Sequence, residues 1–300
     1  MSGGRWVGQS LKRVEDGRLL TGRGGFIADI EVANLHHAAI LRSPHAHARV
    51  RRIDISRGLA LPGVVAVLTG EDVGRMSEPF VNIAGPSRYY SCAVGTARFV
   101  GEPVAVAIAR TRYIAEDALD LVGVEYEPLP AVFDQEEALA PGAPILHENL
   151  GTNRCVRRKF SFGGSERAFA EAHLVVRERF RFPRYSHFPM ETYGVIASFD
   201  PGSGVLTMWA NFQGPFIIHT VIARALRMPQ NRVRVIVPGD IGGGFGLKTS
   251  IYPYMVLLGL AAIKAGVPVK WIEDRRENLT ASSSHADRVT YMEAAVEQDG

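Results

Sequence analysis

The sequence predicts an α+β fold in two parts, a small N-terminal α/β unit over residues 1–150 and a mixed α/β unit over 151–300. Three observations predict it. Short apolar runs punctuated by glycine and proline fill residues 20–135, the texture of a small sheet. Pro128, Pro130, Pro141 and Pro144 then break up regular structure, because proline fixes φ and removes a donor, and they mark a linker ending near Leu150. Beyond it, strand-like runs alternate with helical spacings, the pattern of a mixed α/β layer.

Each element follows from its residues. Apolar runs over 35–41, 64–68 and 104–109 predict three strands of a small sheet. Residues 115–122 have helical spacing, and 124–126 form a further short strand. In the second part, 175–182 and 194–199 read as strands. The latter leads through Pro201-Gly202-Ser203-Gly204, a turn in which proline presets one dihedral and glycine accepts positive φ, into a strand over 205–210. Residues 215–227 fit a helix with Pro215 in its first turn. A buried strand over 232–237, a helix over 251–265 and a strand over 267–272 follow. Asp274-Arg275-Arg276-Glu277 reads as a helix start with local, individually weak ion pairs. Residues 288–296 alternate like a strand and lead to Asp299-Gly300, a hairpin-turn signal. No returning strand follows, so this strand is expected to lack its partner. The chain is then either a fragment or a subunit completed by another chain.

Composition excludes several function classes. Thirty-four basic residues face 31 acidic ones, for a formal charge of +3. The clusters Arg49, Arg51, Arg52 and Arg154, Arg157, Arg158, Lys159 carry no nucleic-acid motif, so they read as solvated or partner-facing surface. Cys92 and Cys155 form no CxxC pair, which excludes an iron–sulfur cluster, a cysteine-rich zinc site and a disulfide framework within this chain. The longest apolar stretch, 254–265, is too short to span a bilayer and contains Lys264. With no apolar signal region at the start, a cytoplasmic location is expected. His36 and His37 aside, His45 and His47 flank Ala46 at strand spacing with no carboxylate placed beside them, so no metal held directly by side chains is expected. Tyr185-Ser186-His187 lacks the G-x-S-x-G setting of a hydrolase nucleophile.

The sharpest local feature is Val237-Pro238-Gly239-Asp240-Ile241-Gly242-Gly243-Gly244-Phe245-Gly246-Leu247-Lys248-Thr249, a glycine-rich loop between a strand and a helix. Without Cβ atoms, such a backbone can bring its N–H groups close to an anion or an oxo ligand. A phosphate-binding P-loop needs glycine before its lysine, and Leu247 stands there. The dinucleotide fingerprint G-x-G-x-x-G also fails, with Leu247 or Thr249 at its last glycine. A nucleotide-binding enzyme is therefore a weaker alternative, and a tight structural turn the plain one.

Gly-Gly-Gly-Phe-Gly-x-Lys after an Asp resembles a motif of the xanthine dehydrogenase and aldehyde oxidase family of molybdopterin-binding large subunits. So do Phe26-Ile27-Ala28-Asp29, Arg42-Ser43-Pro44-His45-Ala46-His47-Ala48-Arg49, Val100-Gly101-Glu102-Pro103-Val104-Ala105, Pro189-Met190-Glu191 and Pro268-Val269-Lys270-Trp271-Ile272-Glu273-Asp274-Arg275. The resemblance implies a hammerhead-type domain with linker over 1–150 and the first part of a molybdopterin-binding domain over 151–300. It also implies that the backbone at Gly244, Phe245 and Gly246 faces an oxygen ligand of the molybdenum. Gln213, in Trp209-Ala210-Asn211-Phe212-Gln213-Gly214, would donate its side-chain amide to the apical oxygen. Such a donor polarises without adding charge. Glu191 and Thr249 are the candidates for the substrate pocket, Glu191 more as a hydrogen-bonding support than as a base.

The activity implied is hydroxylation of a carbon centre in an aldehyde, an N-heterocycle or carbon monoxide. Water supplies the oxygen, and electrons pass to [2Fe–2S] and FAD centres on partner chains. The implied cofactor is molybdenum–molybdopterin, bare or as the cytosine dinucleotide. The family's base glutamate is expected beyond Gly300, so no catalytic residue is assigned here, and the missing C-terminal portion counts as a partner. Purine-oxidising members carry a glutamate after the loop lysine; Thr249 stands there, which disfavours purines. A non-catalytic assembly module that docks an iron–sulfur subunit is the other alternative.

Overall fold

Residues 6, 8–81, 87–283 and 285–299 are described by a computed structural model of the chain. Before residue 150 the strands are β1 (His36–Arg42), β2 (Ala48–Asp54), β3 (Val64–Thr69), β4 (Phe80–Val81), β5 (Arg88–Tyr89), β6 (Thr96–Ala97), β7 (Pro103–Ala109) and β8 (Gly123–Pro128). The helices there are α1 (Asp16–Leu20), α2 (Ser56–Leu59), α3 (Gly70–Met76) and α4 (Arg112–Asp120). After it come α5 (Ser165–Glu171), β9 (Leu174–Tyr185), β10 (Gly194–Asp200), β11 (Val205–Ala210), α6 (Pro215–Ala225), β12 (Val233–Ile236), α7 (Tyr252–Ala265), β13 (Val269–Ile272), α8 (Arg275–Ala281) and β14 (His285–Val296).

One seven-stranded sheet, ordered β12-β11-β10-β13-β1-β7-β3, draws strands from both sides of residue 150. The seam is the parallel pair β1–β13, joined at His36↔Val269 and His37↔Lys270. β7, Pro-Val-Ala-Val-Ala-Ile-Ala, is buried at every position, as a run without polar side chains demands of a strand covered on both faces. α4 lies over one face, burying Ala115 and Ala118 against Ala105, Ala107 and Val67. α7 covers the other, buried from Tyr254 to Ala262. Its Gly259 lets the helix approach Leu206 and Leu226, since a Cβ there would stand 3.0 Å from Leu206 Cδ2.

β2 pairs with β6 and β8 in a separate sheet. Its arginines are solvated, and Arg51 pairs with Glu127 on β8. α8 starts where the sequence predicts a helix start, and Asp274 caps it reciprocally with Glu277. One expectation is corrected. β14 is not without a partner: it pairs antiparallel with β9 from His285↔Tyr185 to Val296↔Leu174. The local turn signal points forward along the chain, whereas the ladder is closed by a strand about a hundred residues earlier. Gly300, the second half of that signal, lies outside the described residues.

Candidate functional site

Strand directions bring the distinctive residues to one edge. β11 and β12 run parallel, and β10 is antiparallel to both β11 and β13. The carboxyl ends of β11, β12 and β13 and the amino end of β10 therefore share an edge. Such carboxyl ends are where open α/β sheets offer binding crevices. Gln213 follows β11, the glycine-rich loop follows β12, Glu273 follows β13, and Glu191 precedes β10.

Gln213 and the loop are in contact. The Gly246 N–H donates to Gln213 Oε1 at 3.2 Å, and the Gln213 N–H donates to the Lys248 carbonyl at 3.4 Å. A donor at Oε1 fixes which end of the amide is oxygen, so Nε2 is the end left over. Neither Gln213 Nε2 nor the Phe245 N–H has a hydrogen-bond partner among the described residues. Gly244 is buried, and a Cβ there would stand 2.5 Å from Gln213 Cδ. The turn passes through left-handed backbone at Gly243 (φ 90), Phe245 (φ 50) and Gly246 (φ 87). Phe245 is the unusual member, since a side chain there is strained; its ring is largely exposed. Thr249 is exposed, and its hydroxyl donates to the Gly246 carbonyl at 2.6 Å.

Charged groups lie beneath. Glu191 Oε2 accepts from the Gly242 N–H at 2.8 Å and from Lys248 Nζ at 2.7 Å, while Oε1 accepts from the Ile27 N–H at 3.3 Å. The Lys248 side chain is fully buried. Burial pushes its ammonium below the usual lysine range, with Glu191 opposing that shift. The Tyr193 hydroxyl donates to the Leu247 carbonyl at 2.7 Å. Glu273, also buried, accepts from Tyr193 N–H, Asn278 Nδ2 and Ser282 Oγ. Burial raises its carboxyl above the usual range. Arg275 donates to the carbonyls of Pro189 and Met190, at 2.7 and 3.0 Å, holding the segment that carries Glu191. Asn211 bridges the Gly194 N–H and the Thr192 carbonyl at the amino end of β10.

Residues 146–300 match the family of molybdopterin cofactor-binding domains, and residues 21–130 match the aldehyde oxidase and xanthine dehydrogenase a/b hammerhead domain. The chain belongs to the aldehyde oxidase and xanthine dehydrogenase family. It is 37% identical to the carbon monoxide dehydrogenase large chain of Afipia carboxidovorans, over 98% of this chain and 38% of that one. With the nicotine 6-hydroxylase large subunit of Paenarthrobacter nicotinovorans it shares 38% identity, over 96% of this chain and 36% of the relative. The crystal structure of quinoline 2-oxidoreductase from Pseudomonas putida 86 superposes with a TM-score of 0.88 at 40% identity, covering 97% of this chain and 37% of the other. The chain thus spans less than two fifths of the length of these relatives. The family and the α+β fold expected from the sequence are both confirmed.

The structure brings Gln213, Gly244, Phe245 and Gly246 into one cluster, with Thr249 on its rim and Glu191 beneath. Sequence reasoning missed the groups that hold this cluster: Lys248, Tyr193, Asn211 and the Arg18–Asp240 pair. A lysine with no polar neighbour but Thr249 gives no hint of burial. The pairing of Arg18 with Asp240 crosses 222 positions, and no local signal carries it. His45 and His47, which flank Ala46, have ordinary partners. His45 packs against Tyr126, and His47 meets the Pro130 carbonyl at 2.7 Å. No group of three or more His, Cys, Asp or Glu side chains that could hold a metal occurs among the described residues. No helix there is long and apolar enough to cross a membrane.

Proposed function

We propose that this chain supplies the hammerhead unit and the first part of the molybdopterin-binding unit of a molybdenum hydroxylase large subunit. Gln213 and the backbone of Gly244–Gly246 would be its contact with the metal end of the cofactor. The observation that carries this reading is the polarity of the Gln213 amide. Its oxygen is taken by the Gly246 N–H, so its NH2 is left beside the unpartnered Phe245 N–H. Two neutral donors left without a protein partner suit the oxygen ligands of an anionic metal centre, because fixed donors stabilise negative charge without adding a counter-ion. The fit extends to the glycines: any side chain at Gly244 would occupy the space of that amide. When bound, the cofactor supplies the redox chemistry that oxidises a carbon centre with oxygen from water. This chain's residues hold and polarise it.

In the same reading Glu191 supports the loop, and uncharged Thr249 faces the substrate side, which favours an aldehyde, an N-heterocycle or carbon monoxide over a purine. The base glutamate and most pterin contacts would be supplied outside these 300 residues. Electrons would leave to [2Fe–2S] and FAD partner chains in the cytoplasm, and the pterin is bare or a cytosine dinucleotide. Residues 1–150 and 151–300 serve as the two units of assembly, fused through the β1–β13 seam.

The test is Gln213→Ala in the full-length enzyme with its partner chains. Turnover is expected to fall about a hundredfold, the usual cost of losing one preorganised donor, while molybdenum per chain stays stoichiometric. Unchanged turnover refutes the assignment. The 300-residue chain by itself is expected to retain no stoichiometric molybdenum.

A further inference from the structure

The tip of the glycine-rich loop is set by two carboxylates that both reach back to the start of the chain. Oε2 of Glu191 gathers the Gly242 N–H and the Lys248 ammonium, so both shoulders of the turn are fastened on one oxygen. Its Oε1 takes the Ile27 N–H. Asp240, at the loop entrance, is clasped by both ends of the Arg18 guanidinium, with Nη2 at 2.7 Å from Oδ1. The Gly25 N–H donates to Asp240 Oδ2 at 2.7 Å, and the Asp240 N–H returns a bond to the Gly25 carbonyl at 3.2 Å. On β13, Lys270 Nζ donates to the Ala28 carbonyl at 2.8 Å. Residues 18–28 thus lie against both the entrance and the shoulder of the loop.

Hydrophobic burial does not hold the outer part of this segment there, since α1 has no buried residue. The segment's one fully buried residue is Ile27, 1% exposed and seated over Gly194, where a Cβ would stand 2.4 Å from Ile27 Cγ2. The rest of the attachment is polar and directional. Such contacts fix position more than they add stability, because each replaces hydrogen bonds to water. Planar, two-pronged arginine–carboxylate pairs are the most restrictive of them.

We propose that residues 18–28 form a positioning strap, in which the Arg18–Asp240 clasp and the Ile27–Glu191 contact hold Gly242–Gly246 in register with Gln213. The inference rests on the reading of Gln213 and the loop as the cofactor contact. Arg18 and Asp240 are positioning residues; their hydrogen bonds go to each other and to the segment's backbone, not to Gln213 or Gly244–Gly246.

The experiment uses the full-length holoenzyme with Arg18→Ala and Arg18→Lys. Amide hydrogen exchange in peptides covering residues 240–248 is expected to rise about tenfold in R18A, the scale of losing one partly exposed charge-assisted pair. R18K should restore part of that protection, and peptides from β7 and β10 should be unaffected. The molybdenum(V) electron paramagnetic resonance signal of the partly reduced R18A enzyme should shift, with kcat lowered and KM kept. Glu191→Gln is the second perturbation and should loosen the same peptides. Parental exchange in the loop of R18A overturns the strap. Gln213→Ala, run alongside, separates the two ideas. A Q213A enzyme with parental spectrum and turnover defeats the cofactor reading, while the exchange data still judge the strap. A Q213A effect without an R18A effect defeats the strap alone.

Discussion

Gly244 allows folding and function to be separated by one methyl group. A Cβ on Gly244 would lie 2.5 Å from Gln213 Cδ, 2.5 Å from Oε1 and 2.9 Å from Nε2. Gly244 is not among the glycines with positive φ, so alanine meets no backbone penalty, and the conflict is with the end of one flexible side chain. If that amide swings aside, the Gly246 N–H···Oε1 bond is lost, and a neutral bond of this kind contributes about 0.5–1.5 kcal/mol. One kcal/mol moves the melting temperature of a unit this large by about 2–4 °C. Turnover should suffer far more, because the displaced amide is the proposed donor and one such donor accounts for roughly a hundredfold in rate. In the full-length enzyme, Gly244→Ala is therefore expected to lower kcat about a hundredfold, with Tm reduced by no more than about 5 °C and molybdenum content intact. Gly242→Ala is the contrast. Its Cβ would meet Glu191 Cβ at 2.5 Å and the Glu191 nitrogen at 3.2 Å, which cannot rotate away. It should cost about 1–3 kcal/mol as an overpacking change and loosen the cofactor. Parental turnover in G244A, or activity and Tm falling together as in G242A, refutes the reasoning.

Further outcomes follow from burial and charge. Burial pushes the Glu102 carboxyl up to about 7, opposed by the Arg98 N–H at 2.5 Å. A carboxyl raised on folding favours the native state most below its unfolded pKa, and that advantage is lost as the pH rises from about 4.5 through about 7. Glu102→Gln keeps the acceptor and has no charge to bury, so its thermal stability should exceed the parent's at about pH 8, by roughly 1–3 kcal/mol, and match it near pH 4; equal shifts at both pH values would contradict this. The Arg18 guanidinium and the Gly25 N–H hold the Asp240 carboxyl down at about 2. That stabilisation is present above about pH 4 and is lost as the pH falls towards 2. Asp240→Asn should therefore show a smaller drop in Tm between about pH 5 and pH 2.5 than the parent. Ile108, fully buried in β7 between β1 and β3, should lose about 2–5 kcal/mol on truncation to alanine, read from urea unfolding.

The sequence announces elements whose burial is uniform and hides those whose role depends on distant partners. β7 and α7 are legible because their apolar runs are long, unbroken in β7 and interrupted in α7 only by Lys264 in its last turn after Tyr254. α8 is legible because Asp274 and Glu277 carry a capping box in four residues. β2, Ala-Arg-Val-Arg-Arg-Ile-Asp, is not: its arginines read as surface charge, and what makes them a strand is pairing with β6 and β8. The partner of β14 is hidden for the same reason. At the site, the glycine loop and Gln213 carry motifs, and Lys248 closes the loop motif, but its role is hidden until tertiary structure buries it against Glu191. Local spacing marks the groups proposed to meet the cofactor; it does not encode what holds those groups still.

That division has a physical basis in the loop itself. A phenylalanine in left-handed backbone costs about 1–2 kcal/mol, and such strain persists only where surroundings over-determine the conformation. Phe245 lies between Gly243 and Gly246, both also left-handed, so its own neighbours do not restrain it. Restraint comes from below: Glu191 grips Gly242 and Lys248, and Tyr193 grips Leu247. A partly buried ion pair is a poor device for stability, since desolvation offsets its attraction. A buried ion pair can still fix geometry, because either partner without the other is an uncompensated charge. The outer donors can then remain neutral and unpaired, and Lys248 is held in place by Glu191 rather than left free to offer its charge at the surface.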